Sequence, residues 1–284
     1  MTTQAATVPG PRIPGFMMTM TQLSPVRMEF DSLAYLTENA EKYGSFFAIY
    51  AGKNVTYVIT DPQLAHEVLV TRHQEFHKAE MIRKAVAPFA SNGLLTSEGD
   101  FWKRQRKLAQ PAFHFQRIAS YGDVVTKETS KLIANWQSGE NRDIALEMMA
   151  LTLKVVNKTL FNIELSGEVE HIGALTTIIL EAANDRLNSY NPIFERIFKR
   201  QKRREEAAIN ELNRIIDGII DEHRKQGTDS GDLLSMLLEA RDEEGKPMDA
   251  KQLRDEVVTL FIAGHETTAN TLTWACLLYT SRCV

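Results

Sequence analysis

From Ala263 to Ala269 the chain reads Ala-Gly-His-Glu-Thr-Thr-Ala, inside an apolar pattern with helical spacing. A glycine within a helix costs about 1 kcal/mol relative to alanine, and two adjacent β-branched residues add further restriction. A helix that accepts those costs is expected to gain something from the residues that impose them. Ala263, Gly264, Thr267 and Thr271 recur at three- and four-residue spacing and so share one face. That face is nearly bare of bulk at Ala263 and Gly264, so a large flat ligand could lie against the backbone. The Thr267 hydroxyl can bond back to the carbonyl four residues earlier, which loosens the helical ladder and can bend it. Glu266 stands beside it. A carboxylate and an alcohol at an opened helical turn are suitable parts for relaying protons to a bound oxygen species.

A second block with chemical content runs Gly99-Asp100-Phe101-Trp102-Lys103-Arg104-Gln105-Arg106-Lys107 and on to Pro111-Ala112-Phe113-His114. Trp102 and Arg106 stand at i,i+4, where the guanidinium can simply pack on the indole, or the indole N–H and the planar guanidinium fork can serve one anionic group. A third feature is the opening Pro9-Gly10-Pro11-Arg12-Ile13-Pro14-Gly15.

With these blocks in this order and at these separations, the chain resembles the haem-thiolate monooxygenases, the cytochromes P-450. Their oxygen-activation motif, Ala/Gly-Gly-x-Asp/Glu-Thr-Thr/Ser, fits Ala263 to Thr268 at every specified place. Their Trp-x-x-x-Arg helix fits Trp102 and Arg106, and their proline-rich lead-in resembles 9–15. The resemblance implies a mainly α fold with a small N-terminal β-hairpin, the N-terminal portion of the cytochrome P-450 fold. It implies haem b, with Trp102 and Arg106 on a propionate and with Ala263 and Gly264 bordering the ring and the bound oxygen. Thr267 would hydrogen-bond dioxygen at the haem, and Glu266 would feed protons through water. Dioxygen, a hydrophobic small molecule and an electron donor (a ferredoxin, flavodoxin or reductase) would be the partners. The 101–114 block looks most like the fatty-acid and alkane hydroxylase branches.

Parts of that pattern are absent from these residues. The family's Phe- and Gly-rich loop carrying the thiolate cysteine follows the central helix, and no such loop surrounds Cys283, so no metal ligand is assigned. The family's Glu-x-x-Arg pair also belongs later. Glu80 with Arg83 and Glu211 with Arg214 both precede the central helix and read as ordinary i,i+3 charge pairs or as chance. The expectation is a partial catalytic domain over 1–284, catalytically dead and poorly folded alone, with 277–284 resembling no native continuation. The apolar face of 249–278 would then stay open to water.

Composition narrows the class without choosing a function. Hydrophobic residues at 43% and charged residues at 25% are ordinary for a globular protein, and a net charge of −4 gives no encouragement to nucleic-acid binding. No apolar run of about 18 residues exists, so no membrane span is predicted. No basic lead followed by an apolar core opens the chain, which favours a bacterial-type cytoplasmic enzyme. Cys276 and Cys283 fall two helical turns apart, too far for a disulfide.

The elements that must position these residues follow from caps and periodicity. Residues 1–29 lack a period and should run irregularly. Asp31 caps a helix to Tyr43, ended by Gly44. Stretches 45–51 and 54–60 alternate around Gly52-Lys53 as a hairpin. Asp61-Pro62 opens another helix, and 77–96 reads as a loop with room for a short helix. Ser97 and Asp100 make a capping-box-like start to the Trp102 helix, which Pro111 ends. Helical periods fill 116–136, 143–163, 168–187 and 192–225. A short helix follows to Ala240, and 242–247 forms a turn. Asp249 with Gln252 caps the final helix through Leu278.

Competing readings of single motifs fail on spacing. His265-Glu266 would need a histidine at Ala269 to bind zinc, and Asp242-Glu243-Glu244-Gly245 brings glycine too early for a calcium loop. The basic run 199–204 is followed at once by Glu205 and Glu206 and reads as a solvated helix face. A helical binding or scaffold protein carrying these motifs by coincidence is the rival from another class, and affinity for a porphyrin separates the two.

Overall fold

Three aspartates predicted to open helices do so in the computed structural model, which describes residues 7–13, 31–52, 54–162, 169–188, 199–226 and 231–282. Asp31 accepts from the Ala34 amide at 2.8 Å, Asp61 from Gln63 and Leu64 at 2.8 and 2.9 Å, and Asp249 from Gln252 at 2.8 Å. Each satisfies amides that the first helical turn leaves without partners. The described residues divide into two units, one up to His77 and one from Lys78 onward.

The first unit is built on a three-stranded sheet with β1 (Arg12–Ile13), β2 (Phe46–Ala51) and β3 (Asn54–Ile59) in that order. The hairpin predicted around Gly52 is present, with Phe46 opposite Ile59 and Ala51 opposite Asn54. The segment expected to be irregular contributes β1, which runs parallel to β2. Gly10 makes this possible, because a Cβ there would sit 1.7 Å from the Ala48 carbonyl oxygen. The Pro9 and Pro11 carbonyls accept from Ala48 and Tyr50, each at 3.0 Å, a pairing that prolines can join as acceptors. Helix α1 (Ser32–Tyr43) ends at Gly44, whose φ of 91° suits glycine, and α2 (Pro62–His66) continues into a π-turn over Glu67–Thr71.

The second unit is helical: α3 (Glu80–Ala90), α4 (Gly99–Ala109), α5 (Phe115–Ala134), α6 (Ile144–Phe161), α7 (Val169–Asn188), α8 (Lys199–Gln226), α9 (Leu233–Glu239) and α10 (Ala250–Arg282). Helix α10 lies along α6, α6 packs on α7, α10 on α8, and α7 on α8, around a core that includes Leu153, Ile179, Leu212, Ile216 and Phe261, all buried. Fully burying a side chain of this kind contributes about 1.5–3 kcal/mol, so the apolar stripes of these helices decide their packing. Between α7 and α8, Arg186 pairs with Glu205 at 2.6 Å and donates to the Ala85 carbonyl at 2.9 Å. Glu205 thus leaves the solvated face predicted for its neighbours and is buried.

Three expectations need correction. Residues 80–90 form a full helix despite Pro88, because the proline sits in its last turn. The capping box at Ser97 does not form. Glu98 holds the cap position with no side-chain cap bond, its carboxylate accepting instead from the Lys78 amide at 2.6 Å, while Ser97 is buried. The final helix continues past Leu278 to Arg282, since Tyr279 to Arg282 include neither glycine nor proline. The start expected near Pro192, residues 227–230 of the break that the glycines at 227 and 231 lead one to expect, and Cys283 lie outside the described residues. Among those described, no helix is long and apolar enough to cross a membrane.

Candidate functional site

The α10 motif keeps its threonine-to-backbone bonds and loses its expected opening. Thr267 Oγ1 donates to the Ala263 carbonyl at 2.8 Å, Thr268 to Gly264 at 3.1 Å and Thr271 to Thr267 at 2.8 Å. Helix α10 nevertheless runs unbroken from Ala250 to Arg282. A carbonyl oxygen has two lone pairs, so the hydroxyl bond is added to the ladder without displacing it.

Four neighbouring positions face four directions. Ala263, Thr267 and Thr271 are exposed together. Gly264 turns partly toward α6, where a Cβ would lie 3.3 Å from Val156 Cγ2, so its missing side chain admits Val156. His265 is wholly buried, its ring 5.2 Å from that of Phe261 and its Nδ1 2.9 Å from the Phe261 carbonyl. That acceptor places the proton on Nδ1, and burial holds the ring below the usual histidine pKa. Glu266 is half-buried and lines a cavity of about 310 Å³ with Met149, Thr176, Thr177, Glu181 and Asn184 among its other walls. Asn270 donates to Glu266 Oε1 at 3.0 Å, a partner that the i,i+4 spacing offered and sequence reasoning passed over. The carboxylate and the alcohol therefore face different sides of one helix, about 100° apart as successive residues must be.

Helix α4 presents the second group. Its cations are Lys103, Arg104, Arg106 and Lys107. Lys103 pairs with Asp100, Arg104 with Asp242 and Lys107 with Glu243. Arg104 also donates to Gln252 at 3.2 Å, tying α4 to the first turn of α10. Arg106 is exposed, and among the described residues it has no carboxylate partner; its guanidinium lies 5.3 Å from the centre of the Trp102 ring. Sequence reasoning also missed Lys78, whose ammonium stands 5.6 Å from the same ring. No spacing rule connects it to Trp102, because the intervening turn is set by tertiary contacts.

The other charge pairs are structural. Glu211 and Arg214 meet at 2.6 Å, as an i,i+3 pair should, whereas Glu80 pairs with Lys84 at 2.7 Å instead of Arg83. The 242–247 turn closes on Asp242, which accepts from the Lys246 amide at 2.7 Å. Among the described residues no group of histidine, cysteine or carboxylate side chains could hold a metal ion. At the end of α10, Trp274, Leu277, Leu278 and Tyr279 are exposed, in agreement with an apolar face left open, while 255–259 are buried.

Comparison with known proteins fits this arrangement. The family model described as Cytochrome P450 matches residues 8–280. Among curated relatives, cyclooctatin synthase of Streptomyces melanosporofaciens is 33% identical over 83% of this chain and 52% of its own length. Cyclooctat-9-en-7-ol 5-monooxygenase of the same organism is 34% identical over 81% and 50%, respectively. Pentalenene oxygenase of Streptomyces avermitilis is 29% identical over 82% and 51%. The chain thus spans about half the length of the curated relatives it matches. With both motif helices inside a match that runs nearly end to end, this chain belongs to the cytochrome P450 family.

Proposed function

We propose that this chain is the oxygen-handling part of a haem-dependent monooxygenase, an oxidoreductase that inserts one atom of dioxygen into a hydrophobic organic substrate. The observation that carries the reading is Arg106, the one cation of α4 without a carboxylate among the described residues, lying over the Trp102 ring in a protein of this family. Haem b is the family's cofactor, and its propionates are the anions this donor pair suits. When bound, the haem supplies the redox-active iron.

The chain's own residues then take separate roles. Arg106 offers a planar fork and Trp102 an indole N–H to one carboxylate. Ala263 and Gly264 border the ring, Ala263 presenting only a methyl group on the exposed face. Thr267 gives its hydrogen to the Ala263 carbonyl, so toward the open face it first offers lone pairs. Turning that O–H outward makes it a donor at a cost of about 1 kcal/mol, because the carbonyl keeps its ladder bond. Glu266 meets solvent in its cavity, takes up a proton there and passes it through water around the helix to Thr267.

A ferredoxin, flavodoxin or reductase supplies electrons. Two relatives are named for acting on pentalenene and cyclooctat-9-en-7-ol, an alkene and an alkenol by name. The substrate is accordingly a sparsely functionalised hydrocarbon skeleton, a class that also covers the alkane-like chains suggested by the 101–114 block. The 284 residues hold no glycine-rich loop around a cysteine, so on their own they are inactive. The test is haem titration of the full gene product, followed by optical titration with a cyclic alkene and a fatty acid. Tight haem uptake and a spectral shift with either ligand are expected. No porphyrin affinity would leave a helical scaffold as the better reading.

A further inference from the structure

Loop 91–97, between α3 and α4, is held against α10 more tightly than a connection requires. Gly93 is buried, and a Cβ on it would meet Thr259 Oγ1 at 2.3 Å and the Asp255 carbonyl oxygen at 2.7 Å, so the backbone touches α10 directly. The Asn92 amide donates to Asp255 Oδ2 at 3.3 Å. Leu94 is gripped from both sides: its N–H donates to Glu256 Oε2 at 2.9 Å, and its carbonyl accepts from Lys78 Nζ at 2.8 Å. The same ammonium donates to the Ser97 carbonyl at 2.8 Å. Glu256 is only 1% exposed, and among the described residues no hydrogen bond reaches its Oε1.

We propose that Glu256 and Lys78 form a proton-operated clasp, in which the neutral Glu256 carboxyl keeps loop 91–97 seated on α10 and its ionisation loosens the loop. The proton resides on Oε1, the oxygen without a partner, and leaves to water when the clasp opens. Opening also releases Lys78 from the Leu94 and Ser97 carbonyls, and Lys78 is the ammonium that stands over Trp102, so the clasp positions the α4 site.

The charged groups around Glu256 do not reverse this behaviour. Asp255, next to it on α10, disfavours a second negative charge and is itself bonded to Lys251 at 2.9 Å. Lys78 favours the carboxylate but is shared with two carbonyls and with Glu98, which accepts from its amide. Burial is the largest influence and, against the Leu94 amide and Lys78, raises the Glu256 pKa from 4.5 to about 7. In an open loop the carboxyl is solvated and titrates in the ordinary range. The seated state therefore binds the proton more tightly. Closure is fully favoured below the solvated value and is lost as pH rises through about 7. A difference of this size changes the open-to-closed ratio about three-hundredfold in all, most of it between about pH 5 and about pH 8.

Amide hydrogen exchange of this chain, corrected for intrinsic exchange chemistry, reads the clasp at Leu94. Between about pH 5 and about pH 8 its protection should fall about a hundredfold. In Glu256→Gln, whose neutral amide oxygen can still accept from Leu94, protection should stay high and flat. A flat wild type, or a Gln variant with the wild-type slope, overturns the proposal. A second measurement covers a Gln variant that does not fold. Carboxyl NMR should find Glu256 titrating near neutrality in the wild type and in the ordinary carboxylate range in Gly93→Ala, where the new Cβ pushes the loop away. Ordinary titration in both proteins overturns it equally.

Discussion

Replacing Arg106 by alanine distinguishes a structural arginine from one reserved for a ligand. In the chain itself Arg106 is exposed, has no carboxylate partner among the described residues, and lies 5.3 Å from the centre of the Trp102 ring. An exposed contact of this type is worth about 0.5–1 kcal/mol, so the apoprotein should lose no more than that in urea unfolding. A propionate held by the same guanidinium adds a charge-assisted bond of about 1.5–3 kcal/mol, felt only when haem is bound. At tenfold per 1.4 kcal/mol, haem should leave the variant about 10 to 150 times faster. The assay is transfer of haem from the full-length enzyme to an apo-globin acceptor, run beside urea unfolding of the apoprotein. Arg106→Lys keeps the charge without the fork and should fall between the two. Equal transfer rates in wild type and Arg106→Ala refute the propionate role. A large stability loss in the apoprotein would mark the arginine as structural.

In the full-length enzyme, Thr267→Ala should leave haem and substrate affinity nearly unchanged while diverting reducing equivalents to peroxide; unchanged coupling of electron-donor oxidation to product, measured against peroxide yield, would remove Thr267 from proton delivery. Gly264→Leu should cost about 1–3 kcal/mol in urea unfolding, because the Cβ alone meets Val156 at 3.3 Å and the rest of the side chain overpacks that contact. Expressed alone, the 284 residues should give no thiolate-type Soret band in a reduced carbon-monoxide difference spectrum. Such a band would assign a ligand role to Cys276 or Cys283.

Local chemistry was the legible part of this chain. Aspartates at 31, 61 and 249 began helices because a cap is a bond across two or three residues, complete within its own segment. The hairpin at Gly52 and the Thr267 bond to Ala263 are local in the same sense. The failures came where a distant group outbid a neighbour. Ser97 was expected to cap α4, but Lys78, far off in sequence, takes the Ser97 carbonyl and presents its amide to Glu98. Residues 77–96 were read as a loop with room for a short helix, yet 80–90 form a helix of 11 residues, with Pro88 in its last turn where the lost bond matters little.

The same division runs through the α10 motif. Ala263 and Gly264 share small size, and in sequence both read as space for a flat ligand. Ala263 does face the open side beside Thr267 and Thr271, yet Gly264 gives its space largely to Val156. Adjacent helical positions differ by about 100°, so the edge of an open face falls between neighbours and only the packing of α6 decides which side each takes. Glu266 follows the same geometry: one residue before Thr267, it opens onto the cavity wall shared with Thr177 and Glu181. Under the proposed relay, a proton taken up there would travel around the helix through water rather than along a direct carboxylate–alcohol bond. The acid and alcohol that spacing placed side by side thus lie across a helix edge from each other, Glu266 on the cavity side and Thr267 on the exposed side.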